Sequence, residues 1–251
     1  MTHDPPDRSA RFRLLELSDP DVPTNLAIDE ALLIAAEERG AGPTLRIWES
    51  SRPAVILGAS GRLHDDVEVD RCLADGIVIA RRSSGGGTVM IGPGALNVAV
   101  VLPTDFAPGL TAVDKAQLFV LERIAEAIRA AGLPAGVQGS GDLTLNGRKF
   151  SGSAQRRLRN HFLIHASLLY AFPIEAIVRY TKHPKRQPAY REERPHDAFL
   201  TNLDMSRDAL IHALKSAWLD DAASESVAVP RDLVHRLVEE KFGQRAWVIR
   251  L

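Results

Sequence analysis

The stretch Gly139-Ser140-Gly141-Asp142-Leu143-Thr144-Leu145-Asn146-Gly147-Arg148-Lys149-Phe150-Ser151-Gly152-Ser153-Ala154 decides how the chain folds. Its Asn-Gly pair separates two short extended runs, 143–145 and 148–150, the strongest short-range signal for a tight β-hairpin. A hairpin requires antiparallel pairing. Outward from it, residues 162–169 and 96–102 read as apolar strands, and so do 44–48, 54–57 and 77–80. Helical patterns lie between them. One runs over 25–39, capped by Thr24 and ended by Gly40. A second covers 112–131, with apolar residues recurring at three and four, and Gly132 closes it. Residues 174–180 and 206–219 give two more, the latter capped by Ser206. Pro230, at a first helical position, opens a last helix that Gly243 closes. Residues 246–249 read as a final strand, and 182–195, rich in Pro and charge, as the least globular segment. Strands and helices do not alternate strictly. The fold class expected is therefore α+β, a mixed, mostly antiparallel sheet flanked by helices.

The chain has 251 residues, of which 45% are hydrophobic and 25% charged, fractions ordinary for one globular domain. Residues 1–20 read as a flexible tail and 21–251 as one catalytic-sized domain. A single cysteine, Cys72, excludes an internal disulfide framework and a multi-cysteine zinc site. Lys plus Arg is 31 and Asp plus Glu is 32, so the formal net charge is −1 and gives no bulk reason to expect nucleic-acid or membrane binding. No run approaches the ~20 apolar residues of a spanning helix, and the N-terminus lacks the pattern of a secretory signal. A soluble cytoplasmic protein is expected.

Two segments carry chemistry. Arg81-Arg82-Ser83-Ser84-Gly85-Gly86-Gly87-Thr88 follows a predicted strand directly. Three glycines let backbone approach a ligand closely, and two arginines offer bidentate donors for phosphate or carboxylate, so the segment reads as an anion cradle. It is neither a Walker A loop nor a dinucleotide fingerprint. The plain alternative is a flexible connection between strands. In the hairpin, Lys149 lies on a strand, where an ammonium can meet developing negative charge. Asp142 offers carboxylate oxygen to a magnesium ion. Ser151-Gly152-Ser153-Ala154 permits another close backbone approach. The plain alternative, a solvated hairpin with an exposed lysine, does not explain that small-residue run.

Together the two segments resemble the lipoate–protein ligases of the biotin/lipoate ligase superfamily. Thr24-Asn25-Leu26-Ala27-Ile28-Asp29-Glu30-Ala31-Leu32-Leu33 is similar to the family's first helix, Arg46-Ile47-Trp48 through Leu57-Gly58 to its early strands, and His165-Ala166-Ser167-Leu168-Leu169 to its His-Gly-x-Leu-Leu strand. The resemblance implies the ligase catalytic-domain fold and a two-step reaction. A lipoate or octanoate carboxylate attacks the α-phosphate of ATP, giving an acyl-adenylate and pyrophosphate. A lysine of an acceptor protein then takes the acyl group and AMP leaves. It further implies Lys149 as the catalytic lysine, acting electrostatically. Arg82, Ser83, Ser84, Gly85, Gly86, Gly87, Thr88, Val89 and Met90 match the nucleotide-cradling positions. Ser151, Gly152, Ser153, Ala154 and His165 would complete the lipoyl-adenylate site, with Asp142 as the magnesium-related carboxylate. ATP, Mg2+ and lipoic acid are thus the implied ligands. The implied partner is a lipoyl-domain or lipoate-binding acceptor protein.

The chain departs from the family at several places. Met90-Ile91-Gly92-Pro93-Gly94-Ala95 replaces a His-Asp-x-Gly turn, Gly141 replaces an asparagine, and Ala166 replaces a glycine. The family's accessory domain does not follow Leu251, so adenylation either proceeds on this chain alone or draws on a separate accessory-domain protein. Such divergence suggests a bipartite ligase, or the type serving lipoate-binding proteins of sulfur oxidation. Alternatives are a transferase using pre-formed acyl-adenylate or another acyl donor, a thiol transferase with Cys72 as nucleophile, and a non-catalytic binder of lipoate or acceptor. From Arg156 to Arg194 there are nine Lys/Arg and three acidic residues. That run is either a solvated face or a docking surface for an acidic acceptor.

Overall fold

A computed structural model describes residues 12–219 and 227–251. In chain order the strands are β1 (Arg13–Glu16), β2 (Thr44–Glu49), β3 (Ala54–Leu57), β4 (Val78–Arg81), β5 (Val89–Ile91), β6 (Ala95–Pro103), β7 (Ala135–Gln138), β8 (Asp142–Leu145), β9 (Arg148–Arg157) and β10 (His161–Leu169). The helices are α1 (Val22–Arg39), α2 (Leu63–Asp66), α3 (Val69–Ala74), α4 (Val113–Ala130), α5 (Ile174–Tyr180), α6 (His196–Phe199), α7 (Arg207–Trp218), α8 (Arg231–Leu237) and α9 (Arg245–Val248). A seven-stranded sheet has the order β1-β2-β6-β10-β9-β8-β7, and a three-stranded sheet the order β4-β3-β5. The pairs β1–β2 and β3–β4 are parallel and the others antiparallel, which is the α+β class expected.

Alternation along the strands sorts the large sheet into two faces. On one, Val98, Val100, Leu102, Phe162 and Ile164 pack under α4 and α7 against Val120, Leu121, Ile124 and Leu214. On the other, Ala99, Val101 and Leu163 meet Ala27, Ala31 and Leu32 of α1. Phe162 is fully buried, and burial of such a side chain stabilises by about 1.5–3 kcal/mol.

Several boundaries differ from the sequence reading. The sheet begins at Arg13, inside the stretch expected to be a tail, because Arg13–Glu16 pairs with Thr44–Ile47. Residues 1–11 lie outside the described residues. Asp21 rather than Thr24 caps α1: its carboxylate accepts from Thr24 N at 3.0 Å and Thr24 Oγ1 at 2.7 Å, so the helix starts at Val22. Gly40 closes it with φ 64°. Pro230 is the cap of α8, not its first residue, and α8 runs on into a π-helical turn over Val238–Phe242 before Gly243. Residues 246–248 are helical instead of extended, and Ile249 caps that helix. The carbonyls of Trp247 and Val248 accept from Arg81 rather than from a neighbouring strand.

The face beneath α1 also carries charge. Arg46 of β2 is wholly buried and donates to Asp29 Oδ1 at 2.5 Å, Asn25 Oδ1 at 2.7 Å, Asn25 O at 2.7 Å and Leu17 O at 3.0 Å. Asn25 and Asp29, four apart on α1, thus lock helix to sheet. Burial pushes the Asp29 carboxyl up, but Arg46 and His165 pull it further the other way, so it rests below the ordinary carboxylate value. A carboxyl depressed on folding contributes stability above its unfolded pKa and loses it as pH falls. Asp29→Asn, which leaves Arg46 uncompensated, is expected to cost about 3–5 kcal/mol at pH 7. In urea titrations across pH, that deficit should shrink below about pH 4. A deficit unchanged at acid pH would contradict this assignment.

Candidate active site

Arg81 and Arg82 leave β4 side by side and take different tasks. The Arg81 guanidinium is fully buried and donates to Gly58 O at 2.8 Å, Gly61 O at 2.7 Å and Val248 O at 2.6 Å. Expected to serve an anion cradle, it instead ties the 58–61 loop to α9 through their backbone carbonyls. Arg82 turns toward the glycine run. It donates to Gly85 O at 2.6 Å, Gly87 O at 2.7 Å and Ser84 Oγ at 3.0 Å. Its partners are carbonyl and hydroxyl oxygens, and burial pushes its pKa down to about 10. It remains a cation at neutral pH, directly behind the loop. Gly86 has φ 84°, and a Cβ at Gly58 would lie 2.0 Å from Gly86 O. The 58–61 and 85–87 loops therefore pack backbone on backbone, which only glycine allows.

The hairpin forms as read, with Asn146 at φ 48° and Gly147 at φ 73° in its turn. A β-bulge then alters the alternation: Leu143 faces Ser151, but Thr144 faces Lys149, leaving Phe150 as the extra residue. Phe150 buries toward α4 while Lys149 stays on the cleft wall. Lys149 Nζ lies 2.7 Å from Asp142 Oδ1. A Cβ at Gly152 would come within 3.0 Å of that ammonium, so glycine leaves room for it. Asp142 Oδ2 accepts from Tyr190 OH at 2.7 Å. Burial and that carboxylate push the Tyr190 phenol far up. Ser153 Oγ is pinned by Gln117 Nε2 and by Gly141 O, both at 2.6 Å.

His165 of β10 faces the same cleft. Its Nε2 is 2.5 Å from Ser84 Oγ, and its Nδ1 is 3.4 Å from Asp29 Oδ2. The buried Arg46–Asp29 pair thereby reaches the glycine loop through an imidazole and a hydroxyl. Asp29, Arg46, Gln117 and Tyr190 were not singled out from the sequence. Asn25 and Asp29 carried a readable signal, polar residues at i and i+4 on an apolar helix face. Tyr190 carried none.

One cleft of about 1120 Å³ gathers Arg82, Gly85, Gly86, Gly87, Thr88, Val89, Met90, Asp142, Lys149, Ser151, Gly152, Ser153, Ala154 and His165. Ser83 and Ser84 are buried behind the loop instead of lining it. Residues 182–195, expected to be the least globular segment, fold onto the cleft because Tyr190 bonds Asp142 and Arg194 donates to Gly147 O and Tyr190 O. Much of the basic run is engaged with the rest of the chain. Arg157 donates to Leu110 O and Thr111 O, Arg179 pairs with Asp75, and Lys185 pairs with Asp65 while remaining exposed. Cys72 is fully buried on α3, outside the cleft, and burial pushes its thiol up. Among the described residues, no three His, Cys, Asp or Glu side chains converge as a metal site. No helix described is long and apolar enough to cross a membrane.

The lipoyl protein ligase A/B catalytic domain, as a family model, matches residues 21–222. Octanoyltransferase LipM of Symbiobacterium thermophilum is 27% identical, over 95% of this chain and 98% of that protein. Lipoate-protein ligase A of Psychrobacter cryohalolentis is 27% identical over 74% of this chain and 55% of its own length, so this chain spans about half of that ligase. The bipartite lipoate protein ligase of Thermoplasma acidophilum, from a structural analysis of that ligase and its E2 lipoyl domain, superposes with a TM-score of 0.82 at 24% identity, covering 95% of this chain and 96% of that one, which shows the shared fold. With the expected motifs meeting in one cleft, the chain belongs to the lipoyl protein ligase A/B catalytic domain family.

Proposed function

We propose that the chain attaches lipoate to a lysine of an acceptor lipoyl domain through an acyl-adenylate made with ATP. The observation that carries this reading is the placement of the Lys149 ammonium on a rigid, bulged strand of the same cleft as a glycine loop backed by the Arg82 cation. In the first step a carboxylate oxygen bonds to the α-phosphorus and pyrophosphate leaves with the electron pair. In the second, the acceptor amine bonds to the acyl carbon, loses a proton, and AMP leaves. Negative charge gathers at the phosphate or the carbonyl in each step. Preorganised donors aimed at developing charge lower such barriers. The backbone of Gly85–Gly87 and Lys149 are the donors, and Arg82 fixes the loop's shape while adding positive potential.

Asp142 has both carboxylate oxygens engaged and stands as the single acid beside Lys149. It therefore suits Mg2+ only as one ligand to an ion whose remaining oxygens come from nucleotide phosphates and water, the usual way that ion is held. An ion so placed would neutralise phosphate charge. The likeness to an octanoyltransferase raises a second reading, direct acyl transfer from a carrier. A covalent transfer by thiol needs a cleft cysteine, and Cys72 is buried elsewhere. Transfer from pre-formed adenylate would use the same Lys149 and glycine loop.

Lys149→Ala is expected to cut transfer to a lipoyl domain by about 10²–10³-fold, the cost of deleting one preorganised donor, with an unchanged circular dichroism melt. Turnover near that of the wild type would refute the electrostatic role. The mouth of the cleft carries Lys182, Lys185 and Arg186, and lipoyl domains are often acidic. Transfer should therefore slow as salt rises, since steering is screened beyond about 8–10 Å. A rate insensitive to salt would remove this rim as the docking face.

A further inference from the structure

Strand register places Trp48 opposite Asn97, Asn97 opposite Ser167, Ser167 opposite Gly152, and Gly152 opposite Asp142. These five residues form one row across β2, β6, β10, β9 and β8, all on the cleft face of the sheet. With strands about 4.8 Å apart, the row runs about 14 Å from Gly152 to Trp48. It begins beside Lys149, and Leu26, Ile56 and Ile91 supply apolar walls to the same cleft. This is a track for an apolar chain leading away from the reacting carboxyl.

The track is not wholly apolar. Asn97 is buried, with Oδ1 accepting from Ser167 Oγ at 2.7 Å, while Nδ2 reaches only Ala95 O, at 3.4 Å. One N–H of that amide is left over. Beside it the indole N–H of Trp48 is buried without a partner, its ring held under the Arg46 guanidinium at 5.0 Å. Neighbouring residues of the row thus hold two donors with spare capacity. An unpaired buried donor is costly unless a ligand meets it. A site built to hydrogen-bond a substrate group discriminates against the analogue that lacks it.

We infer that Asn97, anchored by Ser167, makes this site selective for acyl chains whose tail carries a polarisable acceptor, the sulfur-bearing lipoyl ring, over the plain octanoyl chain. Sulfur is a weak acceptor and packs well on an aromatic edge. A methyl-ended chain offers neither. The inference deepens the proposed function and rests on it.

The test gives the full chain lipoyl-adenylate or octanoyl-adenylate with a lipoyl domain as acceptor, and compares kcat/KM. The wild type should favour the lipoyl donor by about tenfold or more, the scale of one buried donor left unpaired. Asn97→Val should bring the two donors to within about twofold, chiefly by improving octanoyl transfer. Ser167→Ala, which frees the amide without adding apolar bulk, should lower the preference as well and serves if Asn97→Val fails to fold. Equal use of both donors by the wild type, or a preference unmoved in the folded variants, overturns the inference. A wild type that transfers neither acyl group overturns the proposed function instead.

Discussion

The buried pair between Arg46 and Asp29 is the constraint on which the site depends. Removing two charges from water is expensive, and here the cost is offset by four hydrogen bonds from the two terminal guanidinium nitrogens, to the carboxylate, the Asn25 amide and two backbone carbonyls, while Nε has no partner. The arrangement fixes α1 against β2 in one register. It also leaves the second Asp29 oxygen directed at His165, which holds Ser84 at the root of the glycine loop. The lock between α1 and the sheet and the glycine loop on the same face are therefore parts of one hydrogen-bonded chain.

The adjacent arginines of β4 show how a strand end divides its labour. Side chains alternate across a strand, so Arg81 and Arg82 depart in different directions. Arg81 draws α9 and the 58–61 loop together. Arg82 gathers the carbonyls of the glycine run. Glycine at 58 and 86 lets the two loops touch through backbone alone. Opposite them the bulge at Phe150 converts an ordinary hairpin into one that buries an aromatic ring and still offers Lys149 to the cleft.

What could be read from the sequence was local. The Asn-Gly turn dictates its hairpin because both residues accept positive φ. The long apolar periodicities of α4 and β10 survive in the fold almost to the residue. The glycine run and the Lys149 strand were legible as chemistry because neither suits a plain loop or a solvated hairpin. What could not be read was non-local. The bulge depends on how β9 meets β8. Tyr190 finds Asp142 across 48 residues of chain. β5 is three residues long, too short for a periodic signal. The 246–249 run is apolar enough for a strand, yet Arg81 claims its carbonyls first. That Arg81 and Arg82 diverge follows from alternation, but which carbonyls each one meets depends on loops and a helix distant in the chain.

An acyl-adenylate, not an enzyme-bound thioester, is the proposed acyl donor. The most direct measurement incubates the purified chain with a lipoyl domain and either synthetic lipoyl-adenylate or an octanoyl thioester of a carrier protein, and follows acceptor mass. Acylation from the adenylate, with little or none from the thioester, is the result expected from a cleft built on Lys149 and the Arg82-backed loop. Acylation from the thioester with the adenylate inert would contradict it.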